Sequence, residues 1–191
     1  NGPTTGGTSI TVFGMNFGYS QYSPFVKWGG TACEGVKWVS DSSLICKTPS
    51  GVRYNRDIYI SILRQSTGHV TKHFSYDIPW LSSIKLTNGP STGSKTITMF
   101  GRNFGIVGYS GHSRVGGGGI DGTGCEASKW VSDSSTLCKL PAGVFKGHRV
   151  ATTVSDQHSV TRLVFFSYDQ PKVSMMKITN APASGSSTVT I

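Results

Sequence analysis

The chain has 191 residues, 36% hydrophobic and 14% charged, which provides apolar material for one or two packed domains without approaching a membrane composition. Eighteen Lys and Arg against nine Asp and Glu give a formal net charge of +9, which raises the question of an anionic partner. No apolar run approaches the roughly 20 residues of a spanning helix. No basic-then-apolar leader opens the chain at Asn1, so any signal or anchor would lie outside this segment.

In chain order, Asn1-Gly-Pro-Thr-Thr-Gly-Gly7 is rich in turn formers, and Ile10-Thr-Val-Phe13 alternates with a period of two. Further strand patterns follow at Phe25-Val-Lys-Trp28, Val36-Lys-Trp-Val39, Ile58-Tyr-Ile-Ser-Ile62 and Val70 to Tyr76. Gly, Pro, Asn, Asp or Ser clusters separate them. Helical periodicity is scarce. Short strands spaced by turns predict an all-β chain of antiparallel sandwiches, with about seven strands per unit.

The pattern then repeats. Asn1-Gly-Pro-Thr-Thr-Gly-Gly-Thr-Ser-Ile-Thr-Val-Phe-Gly14 returns as Asn88-Gly-Pro-Ser-Thr-Gly-Ser-Lys-Thr-Ile-Thr-Met-Phe-Gly101, and a third copy opens at Asn180-Ala-Pro-Ala-Ser-Gly. Lys37-Trp-Val-Ser-Asp-Ser-Ser43 matches Lys129-Trp-Val-Ser-Asp-Ser-Ser135, and Phe74-Ser-Tyr-Asp77 matches Phe166-Ser-Tyr-Asp169. This predicts repeat 1 over residues 1–79 and repeat 2 over 80–171. Residues 172–191 form a junction and the first strand of a third unit, Ser187, Thr188, Val189, Thr190 and Ile191. That strand cannot bury its face alone, so it would continue into its own repeat or complete a neighbour's sheet. Five residues are added to repeat 2 within the glycine-rich insertion 105–124.

Cys33 and Cys46 are spaced like Cys125 and Cys138, and one disulfide per repeat is the simplest of three possible connectivities. No His or second Cys stands near enough to favour a metal site instead. Disulfides would place the chain in an oxidising compartment.

Gly-Pro-x-x-Gly-Gly-x-x-Ile-Thr-Val-x-Gly-x-Asn-Phe-Gly from Gly2 to Gly18, the central Cys33, Ser43-Leu-Ile-Cys-Lys-Thr-Pro49, and Phe74-Ser-Tyr-Asp77 before a proline together resemble the IPT/TIG family. The resemblance covers both units and the opening of the third. It implies an immunoglobulin-like sandwich with one local disulfide per unit. It does not imply one function, since the family occurs in receptor ectodomains, microbial surface proteins, carbohydrate-active enzymes and transcription factors.

Asn16 and Gly18 sit where a strand must turn sharply, a position for residues that tolerate positive φ. Trp38 and Trp130 recur at one place in each unit, which suggests packing near the disulfides. Trp80, in Pro79-Trp-Leu-Ser-Ser, is positioned to wedge the two units together. The intervals from Asp77 to Asn88 and from Asp169 to Asn180 are short and partly apolar, favouring a semi-rigid rod over flexible beads. Segment 105–124 reads as a mobile loop or as a site of close approach by another chain or a glycan, with Tyr109, His112, Arg114 and Asp121 as contact groups. A metal held by His112 and Asp121 is a further alternative for this segment.

The basic residues are scattered singly between Lys27 and Lys177, which suits solvated faces or an acidic glycan better than nucleic acid. The five histidines and nine carboxylates form no catalytic signature, and Asp41 and Asp133 read as turn-capping residues. The expectation is a non-catalytic extracellular chain without a cofactor. It would be a structural or adhesive repeat protein that forms a stalk or filament, partnered by further repeats or by itself. The alternative is a receptor ectodomain or carbohydrate-binding module. No Asn-x-Ser/Thr sequon occurs, leaving only O-linked sugars for a glycoprotein.

Overall fold

A computed structural model describes residues 1–66, 70–117, 121–159, 164–175, 177, 180 and 182–189. Among them there is no helix, and therefore no helix long and apolar enough to cross a membrane. The first repeat contributes β1 (Ser9–Phe13), β2 (Phe25–Trp28), β3 (Thr31–Ala32), β4 (Gly35–Ser40), β5 (Ser43–Lys47), β6 (Arg56–Ile62), β7 (Gln65–Ser66) and β8 (Val70–Phe74). The second contributes β9 (Trp80–Lys85), β10 (Asn88–Gly89), β11 (Thr96–Arg102), β12 (His112–Val115), β13 (Thr123–Gly124), β14 (Ala127–Ser132), β15 (Ser135–Lys139), β16 (His148–Val154), β17 (Gln157–His158) and β18 (Phe165–Tyr168).

Each repeat is two sheets around one core. In repeat 1, β1-β5-β4 face β3-β2-β6-β7, with β8 also on β6; in repeat 2, β9-β11-β15-β14 face β10-β18-β16-β12-β13. Pairing is antiparallel except at β10 with β18 and at the matching bridge from Gly2 to Tyr76. The period-two pattern has its consequence here. Leu44 and Cys46 from one sheet and Val26, Trp28, Ile60 and Phe74 from the other share a buried cluster, and Ile97, Met99, Cys138, Val150 and Phe166 do the same in repeat 2.

The chain changes sheets at Cys33. Its N–H bonds the Val26 carbonyl on one sheet, and the next residue, Glu34, bonds the Lys47 carbonyl on the other. The Cys33–Cys46 disulfide closes that crossing and ties the two sheets together, as Cys125–Cys138 does in repeat 2. A loop of this length stabilises its unit by roughly 3 kcal/mol in the chain-entropy model.

The five added residues can now be placed. Gly29 and Gly30 alone join β2 to β3, whereas residues 116–122 join the equivalent β12 to β13. The expected loop of 105–124 is therefore interrupted by strand, because His112 and Arg114 belong to β12, which is hydrogen-bonded to β16. Residues 118–120 lie outside the described residues. The expected linker from Asp77 to Asn88 is likewise largely strand, since β9 pairs with β11.

The opening turn forms three times. Gly6, Gly93 and Gly185 have φ of 74°, 73° and 75°, and each donates its N–H to a proline carbonyl three residues earlier, at 3.0 Å. The strand expected after the third turn is described only in part. Ser187, Thr188 and Val189 carry no ladder, and Thr190 and Ile191 lie outside the described residues. So short a segment cannot satisfy its backbone without a partner strand.

Candidate functional site at the repeat junction

The most built polar arrangement outside the two cores lies where the repeats meet. Its first element is the connection that carries the chain from β5 in one sheet to β6 in the other, where Arg53 adopts a φ of 96° and places Val52 toward repeat 2. Val52 is 7% exposed and belongs to the core cluster of repeat 2, with Phe104, Leu140 and Tyr168 among its members. A side chain from one repeat thus completes the core of the next. Burying a valine side chain is worth about 1.5–3 kcal/mol.

The second element is Gln157, on the short strand β17. Its side chain is 0% exposed, donates Nε2 to the Tyr76 carbonyl at 3.0 Å and accepts the Arg53 N–H on Oε1 at 3.1 Å. Both backbone groups belong to repeat 1. Leaving such groups unpaired in a buried place costs about 1–3 kcal/mol, so the carboxamide acts as a two-point clasp. Arg53 adds a bond from Nε to Ser155 Oγ at 2.9 Å.

The third element comes from the repeated Trp-Val-Ser-Asp-Ser-Ser motif. Asp41 and Asp133 do not cap their own turns; each carboxylate reaches across to the N–H of Gly18 or Gly105, at 2.8 and 2.9 Å. Asn16, Asn103, Gly18 and Gly105 all have positive φ in the loops so held. Asp133 has a second task, accepting the hydroxyl of the fully buried Thr4 at 2.6 Å.

Tyr76 backs the site. Its hydroxyl donates to the Pro49 carbonyl at 2.9 Å, and a Cβ on Gly51 would stand 2.7 Å from its ring, so only glycine fits there. Burial raises its pKa from 10.0 to about 12, with Arg56 opposing and Tyr109 reinforcing the shift. Beside this seam runs a cleft of about 560 Å³ lined by residues that include Arg53, Arg56, Tyr76, Tyr109 and Ser155.

The residues expected from sequence are distributed differently. Tyr109 is at the junction, in contact with the repeat 2 core. His112 and Arg114 lie on β12, beside a separate cleft that Asp121 does not line. Among the described residues no group of three or more His, Cys, Asp or Glu is placed to hold a metal. Trp80 stands next to the junction but is 41% exposed, with the Arg102 guanidinium 5.8 Å from its ring. The clasp uses Val52, Gln157, Thr4 and Asp133 instead. Trp38 and Trp130 pack against the same core clusters as the disulfide cysteines, but the indole N–H directed at a disulfide is that of Trp28, at 3.0 and 2.9 Å from the sulfurs of Cys33 and Cys46, whereas Trp130 donates to the Gly105 carbonyl. Val52 and Gln157 were legible only as ordinary residues of strand-and-turn text.

Solved structures similar in fold include a surface glycan-binding protein, PbSGBP-B from Prevotella bryantii, at 13% identity and a TM-score of 0.51 over 79% of this chain and 35% of that one. The extracellular region of plexin A4 matches at 19% identity and a TM-score of 0.45 over 88% of this chain. The chain spans only 17% of that plexin structure. The family model described as IPT/TIG domain matches twice, over residues 1–76 and 79–168, and together with the two disulfide-tied sandwiches this shows that the chain belongs to the IPT/TIG domain family.

Proposed function

We propose that this chain is a non-catalytic segment of an extracellular repeat protein, in which IPT/TIG units are locked end to end to build a stalk or filament. The observation that carries the reading is the clasp of Gln157 and Val52, which buries polar and apolar groups of one repeat in the next. Flexibly tethered domains have no use for such an interface; a load-bearing or spacing element does. Two disulfides that tie sheet to sheet support an oxidising compartment.

Small-angle scattering of the whole chain tests the proposal. A single extended conformation is expected, and Val52→Asp should broaden the distance distribution as the repeats uncouple. Equal profiles for the two proteins would sink the reading.

A second reading, carbohydrate binding, is favoured by the cleft beside the junction, where Tyr76 and Tyr109 stand with two arginines. The Prevotella bryantii protein of similar fold is described as glycan-binding. Acidic glycans would suit the net charge of +9. Array binding that disappears in Arg53→Ala would support this reading, and an array without hits would remove it.

A further inference from the structure

The surface by which repeat 1 receives repeat 2 exists a second time, at the far end of repeat 2. The two surfaces share their internal scaffold bond for bond. Tyr168 Oη donates to the Pro141 carbonyl at 2.8 Å as Tyr76 does to Pro49. The Tyr168 N–H bonds Phe145 O as Tyr76 N–H bonds Arg53 O, and Gly143 N–H bonds Ser91 O as Gly51 N–H bonds Thr4 O. Even the unusual backbone is kept, since Phe145 has a φ of 76° where Arg53 has 96°. Such strain persists only where the surroundings hold it.

What differs is cover. Val144 takes the place of Val52 but is 57% exposed, and Phe145 is 78% exposed. With Pro90, Tyr168 and Pro171 they line a cleft of about 600 Å³ whose lining is mostly apolar. Exposed apolar side chains on a pre-shaped loop mark an interaction surface.

We propose that this face of repeat 2 is a docking surface for the leading end of a third repeat of the same fold, the one that opens at Asn180, in the register of the junction between repeats 1 and 2. The inference rests on the reading of that junction as a built clasp. Two further observations point to this occupant. The opening turn at Pro182 and Gly185 has the geometry of the turns at Gly6 and Gly93. The step from Asp169 to Asn180 also has the same length as that from Asp77 to Asn88, so the tether allows the same placement and supplies a high local concentration.

The chemistry of the match follows residue by residue. An incoming glutamine at the place of Gln157 would accept the Phe145 N–H and donate to the Tyr168 carbonyl. A carboxylate at the place of Asp133 would accept from Ser91. Phe145 replaces Arg53, so the partner should carry an apolar group where Ser155 stands. The first repeat's own leading end displays this set: Asp41, Leu63 and Gln65, with Leu63 in the left-handed region as Ser155 is.

The test extends residues 1–191 by a copy of residues 13–79, which completes the unit opened at Asn180 with that leading end. Hydrogen exchange is then read amide by amide in the original and extended chains. The Phe145 amide should slow at least tenfold in the extended chain, and Val144→Asp should cancel the gain while the added strands stay protected. Added strands that are protected beside an unchanged Phe145 amide would overturn the proposal. If the added strands are not protected, the original chain is read at rising concentration up to millimolar, where its own first repeat is the probe. No slowing of Phe145 there overturns the proposal as well. The Arg53 amide is the internal control: if Gln157→Ala fails to speed its exchange, the reading of the first junction has failed, not this extension of it.

Discussion

The indole N–H of Trp28 points at Cys46 Sγ from 2.9 Å, inside the core of repeat 1, with the Phe74 ring packed against it at 4.7 Å between ring centroids. Repeat 2 places Val115 at the matching register of its sheet, so this contact exists once. A disulfide beside an indole quenches its fluorescence. Reduction of the chain should therefore raise tryptophan emission, and Trp28→Phe should remove most of that rise. Reduction should also cost roughly 3 kcal/mol of stability per bridge, read by urea unfolding with and without reductant.

Val52 and Val144 offer a matched pair of substitutions. Truncating Val52 to alanine removes methyl groups from a closed core and should cost about 1–2 kcal/mol, whereas Val144→Ala on an exposed face should stay within about 0.5 kcal/mol. Thermal melts of the two variants of the 191-residue chain make the comparison. Equal losses would mean that Val52 is not part of the repeat 2 core.

Gln157 and Gln65 form a second pair, one fully buried and the other exposed. Gln157→Ala leaves the Arg53 N–H and the Tyr76 carbonyl unpaired in the junction and should cost about 1–3 kcal/mol. Gln65→Ala should be close to neutral. Protease sensitivity of the segment around Ile78 should rise in the first variant and not in the second.

Tyr76 predicts an alkaline weakness. Its folded pKa, about 12, lies above the unfolded value of 10.0, so the folded state holds the proton more tightly. The associated stability is complete below pH 10 and is lost as pH rises toward 12. Tyr168, raised in the same direction by burial, adds to the loss. Tyr76→Phe should flatten the fall in stability between pH 10 and 12, measured by denaturant titration at each pH.

Much of the architecture was written locally. Alternation in Ile10-Thr-Val-Phe13 and its counterparts marks strands because the side-chain period of a strand is two, and paired cysteines in a repeated frame mark one staple per unit. Positive φ at Asn16 and Gly18 follows from residue type. The junction was not written that way. Val52 and Gln157 stand 105 residues apart, and each by itself is an unremarkable side chain in a turn or short strand.

The sequence by itself determined the repeat and the strands marked by alternation, and it favoured one sulfur pair per unit, since these depend on periodicity, turn chemistry and spacing within one unit. Only the tertiary structure decided that Val52 enters the neighbouring core, that Gln157 clasps the Arg53 and Tyr76 backbone, and that Trp80 stays half exposed beside them. The physical reason is that burial and hydrogen-bond pairing between distant segments are set by how two folded surfaces meet, a relation no local pattern encodes.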